Sequence, residues 1–211
     1  LSSQLAEFDL FDRKTTVSDI SLKDGDGELF HVPVFTNEFW TARQRQACSL
    51  HEISYRACFK PQLPRFFIER LSAPGDTVYD PFMGRGTTPL EAALLGRIPF
   101  GNDINPLSLT MAPPRLCPPD LDELARRLKS IPMDKPGEMP EDLMVFYHPE
   151  TLTAISSLRR YLLERRENGM DPLDEWIAMV ALNRLTGHSK GFFSVYTLPP
   201  NQAVSVASQR K

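Results

Sequence analysis

The residue types that could do chemistry are concentrated between positions 80 and 88, which read Asp80-Pro81-Phe82-Met83-Gly84-Arg85-Gly86-Thr87-Thr88. An apolar run, Thr77-Val78-Tyr79, precedes them, and a helical pattern from Pro89 to Gly96 follows. Strand, glycine turn and helix in that order make a nucleotide-binding element. Glycine lets backbone approach a ligand closely, and the first turn of the helix offers free N–H groups. The acid at the strand end is the discriminating part. A dinucleotide site is G-x-G-x-x-G with no carboxylate in the turn, so that phosphates rest on the helix N-terminus. Here the spacing is G-x-G-T-T, and Asp80 stands four residues before the first glycine. A carboxylate there repels a pyrophosphate and suits a cationic ligand. S-adenosylmethionine, with an ammonium and a sulfonium and no phosphate, fits that charge. The plainer alternative is a strand-to-helix turn that merely needs glycine.

The string resembles motif I of the amino-methyltransferases that modify exocyclic nitrogens of bases in DNA. Upstream, residues 59–68 (Phe59-Lys60-Pro61 onward) followed by Ala73-Pro74-Gly75-Asp76 resemble motif X leading into motif I. Downstream, Gly96 to Pro106 resemble a second strand ending in motif II at Asp103-Ile104-Asn105. The resemblance covers roughly residues 50–112. It implies an α/β, Rossmann-like methyltransferase fold, S-adenosylmethionine as methyl donor, and adenine N6 or cytosine N4 in DNA as acceptor. It makes Lys60, Asp80, Pro81, Phe82, Gly84, Gly86, Thr87, Thr88, Asp103, Ile104 and Asn105 the candidate cofactor-binding residues.

Each of these has a chemical reading and a plain one. Gly84 and Gly86 would let the loop pass beneath the methionine part of the cofactor. Phe82 packs against the cofactor or simply in a core. Asp103 ends the second strand, where a carboxylate can accept from two ribose hydroxyls, or it forms a turn before Asn105-Pro106. Ile104 would lie against the adenine. Thr87 and Thr88 open the helix and are also ordinary capping residues. Lys60 is otherwise a solvated lysine at a helix start.

The family's catalytic tetrapeptide is not in the 211 residues. It begins with Asp, Asn or Ser and continues Pro-Pro-aromatic. The three Pro-Pro pairs stand in Ala112-Pro113-Pro114-Arg115, Cys117-Pro118-Pro119-Asp120 and Leu198-Pro199-Pro200-Asn201. None has a polar acceptor before and a ring after, and all three read as extended loop segments. The catalytic residues are therefore unassigned. The expectation is that the chain is the N-terminal portion of a longer methyltransferase, or one part of a split enzyme whose second polypeptide carries the catalytic half. Two strands, 77–80 and 98–102, and a third at 192–197, are too few for the seven that the resemblance implies. The competing functions are an RNA guanine-N2-type methyltransferase, and a cofactor-binding subunit without catalysis of its own.

Net charge is −3, which does not advertise nucleic-acid binding. Residues 7–28 are acidic, whereas residues 43–70 carry Arg43, Arg45, Arg56, Lys60, Arg65 and Arg70. That basic stretch is either a phosphate-touching surface or a solvated helical face. Cys48, Cys58 and Cys117 show no metal spacing and suggest reduced thiols in a cytoplasm. No apolar run is long enough to span a bilayer, and His31, His51, His148 and His188 pair with no acid or cysteine at site spacing.

Three stretches follow. Residues 1–36 form an acidic N-terminal extension with a hairpin turn at Asp24-Gly25-Asp26-Gly27 and a strand at 29–32. Residues 37–118 form the cofactor-binding part, with Asn37 capping a helix over 38–48 and Leu63, Phe66, Phe67 and Leu71 on the inner face of a helix over 61–72. Residues 119–211 form a mainly helical insertion, a candidate for target recognition. Its expected helices are 119–130 (Leu121, Leu124, Leu128 inside), 149–167 (Leu152, Ile155, Leu158, Leu162 inside) and 172–186 (Leu173, Trp176, Ile177, Val180 inside). A polar loop over 186–193 with Lys190, Phe192 and Phe193 either contacts nucleic acid or is a helix end at Gly187 followed by a buried strand.

Overall fold

A computed structural model of the chain describes residues 1–10, 12–39, 48–53, 55, 58–145 and 147–184. The expected strand at 192–197, the loop at 186–193, most of the helix expected over 38–48 and the Pro-Pro pair after Leu198 lie outside the described residues. The described part is a mixed helix and strand structure in two compact units. The first comprises Leu1–Glu52, Ala57–Met83 and Thr87–Asn102, and the second Ile53–Arg56, Gly84–Gly86 and Asp103–Lys211.

The first unit opens with α1 (Ser2–Ala6) and the short antiparallel pair β1 (Asp9–Leu10) and β2 (Arg13–Lys14). The expected hairpin follows, but its strands are longer than the pattern alone indicated. β3 (Thr16–Lys23) pairs antiparallel with β4 (Leu29–Thr36) in a register that sets Thr16 opposite Thr36 and Lys23 opposite Leu29. Asp24 organises the turn by accepting from the Asp26 and Glu28 N–H groups. Asn37 is expected to cap a helix that lies mostly outside the described residues. Its Nδ2 donates to the Phe8 and Arg13 carbonyls and to the Thr15 hydroxyl, tying the end of β4 back to the start of the chain.

α2 (Gln62–Leu71) is the helix read from residues 61–72. It buries Pro64, Phe66 and Ile68, and Phe66 packs its ring against Phe8, Phe39 and Phe67 at centroid distances of 5.3–5.5 Å. Each such ring pair contributes about 0.5–1.5 kcal/mol beyond its area. Leu71, expected inside, is exposed, although Ile68 in the same last turn is buried. Two of the basic residues are engaged internally. Arg70 stacks over Phe66 at 3.7 Å and donates to the Phe66 carbonyl, while Arg65 pairs with Glu69 and lies 3.6 Å from Glu91.

β5 (Thr77–Asp80), α3 (Thr87–Leu94) and β6 (Ile98–Gly101) then form a right-sized β–α–β unit in which the two strands are parallel, Thr77 beside Ile98 and Asp80 beside Gly101. Gly96, at φ +75°, ends α3. Its N–H and that of Arg97 reach back to the Ala93 and Ala92 carbonyls, a left-handed C-terminal cap that only glycine adopts without strain. The inner side of α3 holds a buried pair, His51 Nε2 to Glu91 Oε1 at 2.7 Å, both side chains 3% exposed. The strands alternate. Val78 and Pro99 are half-buried, whereas Tyr79, Ile98 and Phe100 are exposed, so one face of this parallel sheet is bare among the described residues.

The second unit is helical: α4 (Leu107–Met111), α5 (Pro113–Leu116), α6 (Leu121–Ser130), a 3-10 turn (Glu141–Val145), α7 (Pro149–Asn168) and α8 (Pro172–Arg184). The reading of Ala112-Pro113-Pro114-Arg115 as an extended loop is corrected. Proline at the first turn of a helix gives up no hydrogen bond, and here the two prolines start α5. Pro118 and Pro119 do lie in irregular backbone. α6 begins two residues later than expected because Asp120 caps it, accepting from the Asp122 and Glu123 N–H groups. Its leucine stripe is not a core: Leu121 and Leu128 are exposed and Leu124 is half-buried. α7 buries Leu152, and Ile155, Leu158 and Leu162 line an apolar groove of about 630 Å³ against α4, α5 and α8. In α8, Ile177 and Met179 are buried, and Val180 is exposed against expectation.

α6, α7 and α8 are fastened by charge rather than by leucine. Asp174, fully buried, accepts from Arg127 Nη1 at 2.5 Å, Arg165 Nε at 2.6 Å and the Tyr161 hydroxyl at 2.7 Å. Asp171 accepts from Arg127 Nη2 at 2.6 Å. A buried carboxylate survives only with such partners.

Candidate functional site

Asp80 is the last residue of β5, and its Oδ1 accepts the Phe82 N–H at 3.0 Å. That Asx turn redirects the chain out of the strand immediately after Pro81. The backbone continues beside β6, with the Met83 N–H donating to the Asn102 carbonyl. Phe82 is 84% exposed, so core packing does not account for it. Thr87 and Thr88 are the first two residues of α3. Thr87 is buried, and Thr88 borders an apolar groove of about 520 Å³ lined also by Leu63, Phe67 and Val78. Lys60 is half-buried in the turn that starts α2, its carbonyl accepting the Leu63 N–H.

Gly84, Gly86, Asp103, Ile104 and Asn105 lie together in the second unit. Asp103 uses both carboxylate oxygens on backbone: Oδ2 takes the Gly84 N–H at 2.7 Å and Oδ1 takes the Asn105 N–H at 2.8 Å. The bonds from Asn105 and Gly84 hold its carboxyl below the ordinary carboxylate range, against a smaller opposing effect of burial. The turn-forming role that the sequence left open for Asp103 is thus present, and the same carboxylate ties the end of the second strand to the glycine turn. Asn105 repeats the device one step on, accepting the Leu107 N–H at 3.1 Å, and donates from Nδ2 to the Tyr55 hydroxyl at 3.3 Å. Ile104 is completely exposed.

The glycines have a reason inside the chain as well as toward a ligand. Gly86 has φ +81°, and a Cβ there would stand 2.5 Å from the Ala112 Cβ. Gly84 has φ +52°, with the Tyr55 ring 3.3 Å from where its Cβ would be.

Two residues near this turn were not read from the sequence as site residues. Tyr55 covers Gly84, and only its aromatic character close to motif X could have pointed to it. Arg115 is 2% exposed; its Nε donates to the Met111 carbonyl at 2.7 Å and its Nη2 to the Arg85 carbonyl. Burial, reinforced by the nearby Arg85 charge, brings the Arg115 pKa down to about 10, so the group is still a cation at neutral pH. Arg85 itself reaches the Ile53 carbonyl at 2.7 Å.

Residues 21–112, which hold the end of β3, β4, α2, β5, the glycine turn, α3, β6 and Asp103, match the family model described as DNA methylase. The Type II methyltransferase M.MjaII of Methanocaldococcus jannaschii is 34% identical over 89 residues, 42% of this chain and 17% of the relative. M.MvaI of Kocuria varians is 36% identical over 80 residues, 36% of this chain and 18% of that protein. M.BsoBI of Geobacillus stearothermophilus is 39% identical over 87 residues, 39% and 17% respectively. The aligned stretch therefore spans less than a fifth of each of these relatives. No solved structure matches the chain. Among the described residues no helix is long and apolar enough to cross a membrane. Over residues 21–112 this chain is similar to the DNA methylase family of N6/N4 amino-methyltransferases.

Proposed function

We propose that the chain is the cofactor-binding portion of an enzyme that transfers a methyl group from S-adenosylmethionine to an exocyclic amine of adenine or cytosine in DNA. The observation that carries this reading is the match over residues 21–112 falling on a parallel β–α–β unit whose glycine turn is held by the motif II carboxylate. The Rossmann-like sheet, the division at residues 36 and 118, and a role in target recognition for residues 119–211 belong to the same reading. The DNA and a polypeptide segment carrying the catalytic tetrapeptide are its partners.

The residues fit the cofactor by charge and shape. Asp80 has one oxygen on the Phe82 N–H, which leaves Oδ2 for an ammonium. Gly84 and Gly86 give the turn its left-handed backbone, Asp103 stands just past the second strand for the ribose hydroxyls, and the exposed Ile104 offers an apolar surface to the adenine. The cofactor supplies a methyl already activated on its sulfonium, so the protein's work is alignment and exclusion of water. The target base leaves its duplex to reach it. Its amine, whose lone pair is delocalised into the ring, needs polar acceptors for its protons, and those belong to the tetrapeptide that the 211 residues lack.

Calorimetric titration of the chain with S-adenosylmethionine tests the site. Asp80→Ala is expected to weaken binding by roughly tenfold or more, the worth of one charge-assisted contact. Equal affinity would remove Asp80 from the ammonium role. In a methyl-transfer assay on DNA the chain alone is expected to show binding without turnover, and turnover would refute the assignment of catalysis to a segment elsewhere.

A further inference from the structure

We propose that Arg115 is the positioning residue that holds the Gly84–Gly86 turn in the conformation that receives a ligand. The proposal rests on the reading of that turn as the cofactor loop, and it extends the site to α5, just past the end of the family match at residue 112. A guanidinium at 2% exposure is costly to keep, and α5 is only four residues long. A helix that short gains little from itself, so the burial of a cation in it calls for a task. The task is visible in what the fork touches. One arm takes the Met111 carbonyl at the end of α4, and the other takes the carbonyl of Arg85, the residue between the two glycines. Arg85 O precedes Gly86, whose φ of +81° sets the direction of the next peptide. The Ala112 methyl, at the junction of α4 and α5, fills the space beside Gly86, so the turn rests on that junction. On its other flank Asp103 takes the Gly84 N–H. The turn is thus clamped by one anion and one cation, each through backbone. A lysine in place of Arg115 lacks the rigid fork that spans two carbonyls.

The test reads the turn and the ligand separately on the 211-residue chain. Hydrogen exchange of the Gly84 amide reports the turn, with the amides of α7 as an internal reference for general loosening. Calorimetry with S-adenosylmethionine reports the site. In Arg115→Met, Gly84 exchange is expected to rise at least tenfold while α7 exchange is unchanged, and cofactor affinity to fall at least tenfold. In Arg115→Ala, added methylguanidinium is expected to restore both. Arg115→Lys, which keeps the charge, serves if the other variants do not fold, and is expected to show the same local loosening to a smaller degree. Wild-type Gly84 protection in Arg115→Met, or in the lysine variant where only that one folds, overturns the proposal, and so does loosening spread equally over α7. If the wild-type chain binds no S-adenosylmethionine while Gly84 is loosened locally in the variant, the cofactor reading fails and the clamp stands.

Discussion

Asp174→Ala is expected to destabilise the α6–α7–α8 unit by about 3 kcal/mol, measured as the loss in urea unfolding followed by Trp176 fluorescence. The carboxylate is fully buried and is the common acceptor for Arg127, Arg165 and Tyr161. Removing it takes an acceptor from two guanidiniums and a hydroxyl at once. The value sits at the low end of the range for breaking a buried pair, because Arg127 and Arg165 are 23% and 35% exposed and Asp171 still faces them. Asp174→Asn keeps the shape and some acceptor capacity, and the loss is expected to be about half as large. The same network fixes the response to acid. Burial pushes the Asp174 carboxyl up, but the bonds from Arg165, Tyr161 and Arg127 together outweigh it, and the pKa is lowered. Asp171 is lowered chiefly by Arg127. A lowered pKa contributes stability that is present above the unfolded value of about 4 and is lost as pH falls through the folded value. The unit should therefore hold its stability down to about pH 4 and lose it below. Asp174→Ala should flatten that acid limb.

Gly86→Ala is expected to cost about 2–4 kcal/mol and to abolish measurable cofactor binding. Two separable effects contribute. A side chain at φ +81° is strained wherever it stands, and the new Cβ would be 2.5 Å from the Ala112 Cβ, a methyl with no rotamer to retreat into. The double variant Gly86→Ala with Ala112→Gly removes the collision and keeps the backbone strain. It should recover about half of the loss once the cost of the second glycine is subtracted, and an additive pair would show that the collision is absent. Gly84→Ala is the contrast. Its φ of +52° strains a side chain as well, but the Tyr55 ring at 3.3 Å is a looser contact than a backbone-fixed methyl at 2.5 Å, so a smaller cost of about 1–2 kcal/mol is expected.

The parts of the fold legible in the sequence are those with a local cause. The β5–turn–α3–β6 run was readable because the apolar strands, the glycines and the helical stripe sit next to one another, and α2, α6, α7 and α8 fall within a few residues of their expected bounds. What was not readable depends on neighbours distant in sequence. Leu71, Leu121, Leu128 and Val180 match a helical stripe perfectly well and are exposed, because a stripe says which residues share a face and nothing about what meets that face. Asp174 and Arg127 stand 47 residues apart, and no spacing rule joins them. Arg115 was hidden behind two prolines that look like a loop and in fact start a helix. At the candidate site, Asp80, the glycines and Asp103 were visible as types. That Asp103 grips Gly84, and that Tyr55 and Arg115 flank the same turn, required the tertiary structure.

The bare face of the β5–β6 pair has a practical consequence for anyone handling this chain. Parallel strands are ordinarily covered on both sides, yet Tyr79 is 60% exposed, Phe100 57% and Ile98 50%, and among the described residues each strand has a neighbour on one side only. A sheet with open edges and an aromatic face is a template for other chains. The protein produced by itself should show concentration-dependent association in sedimentation. Replacing Tyr79 and Phe100 by lysine should suppress that association while leaving β5 paired with β6. Solubility, more than catalysis, is then the first property that a covering polypeptide would change.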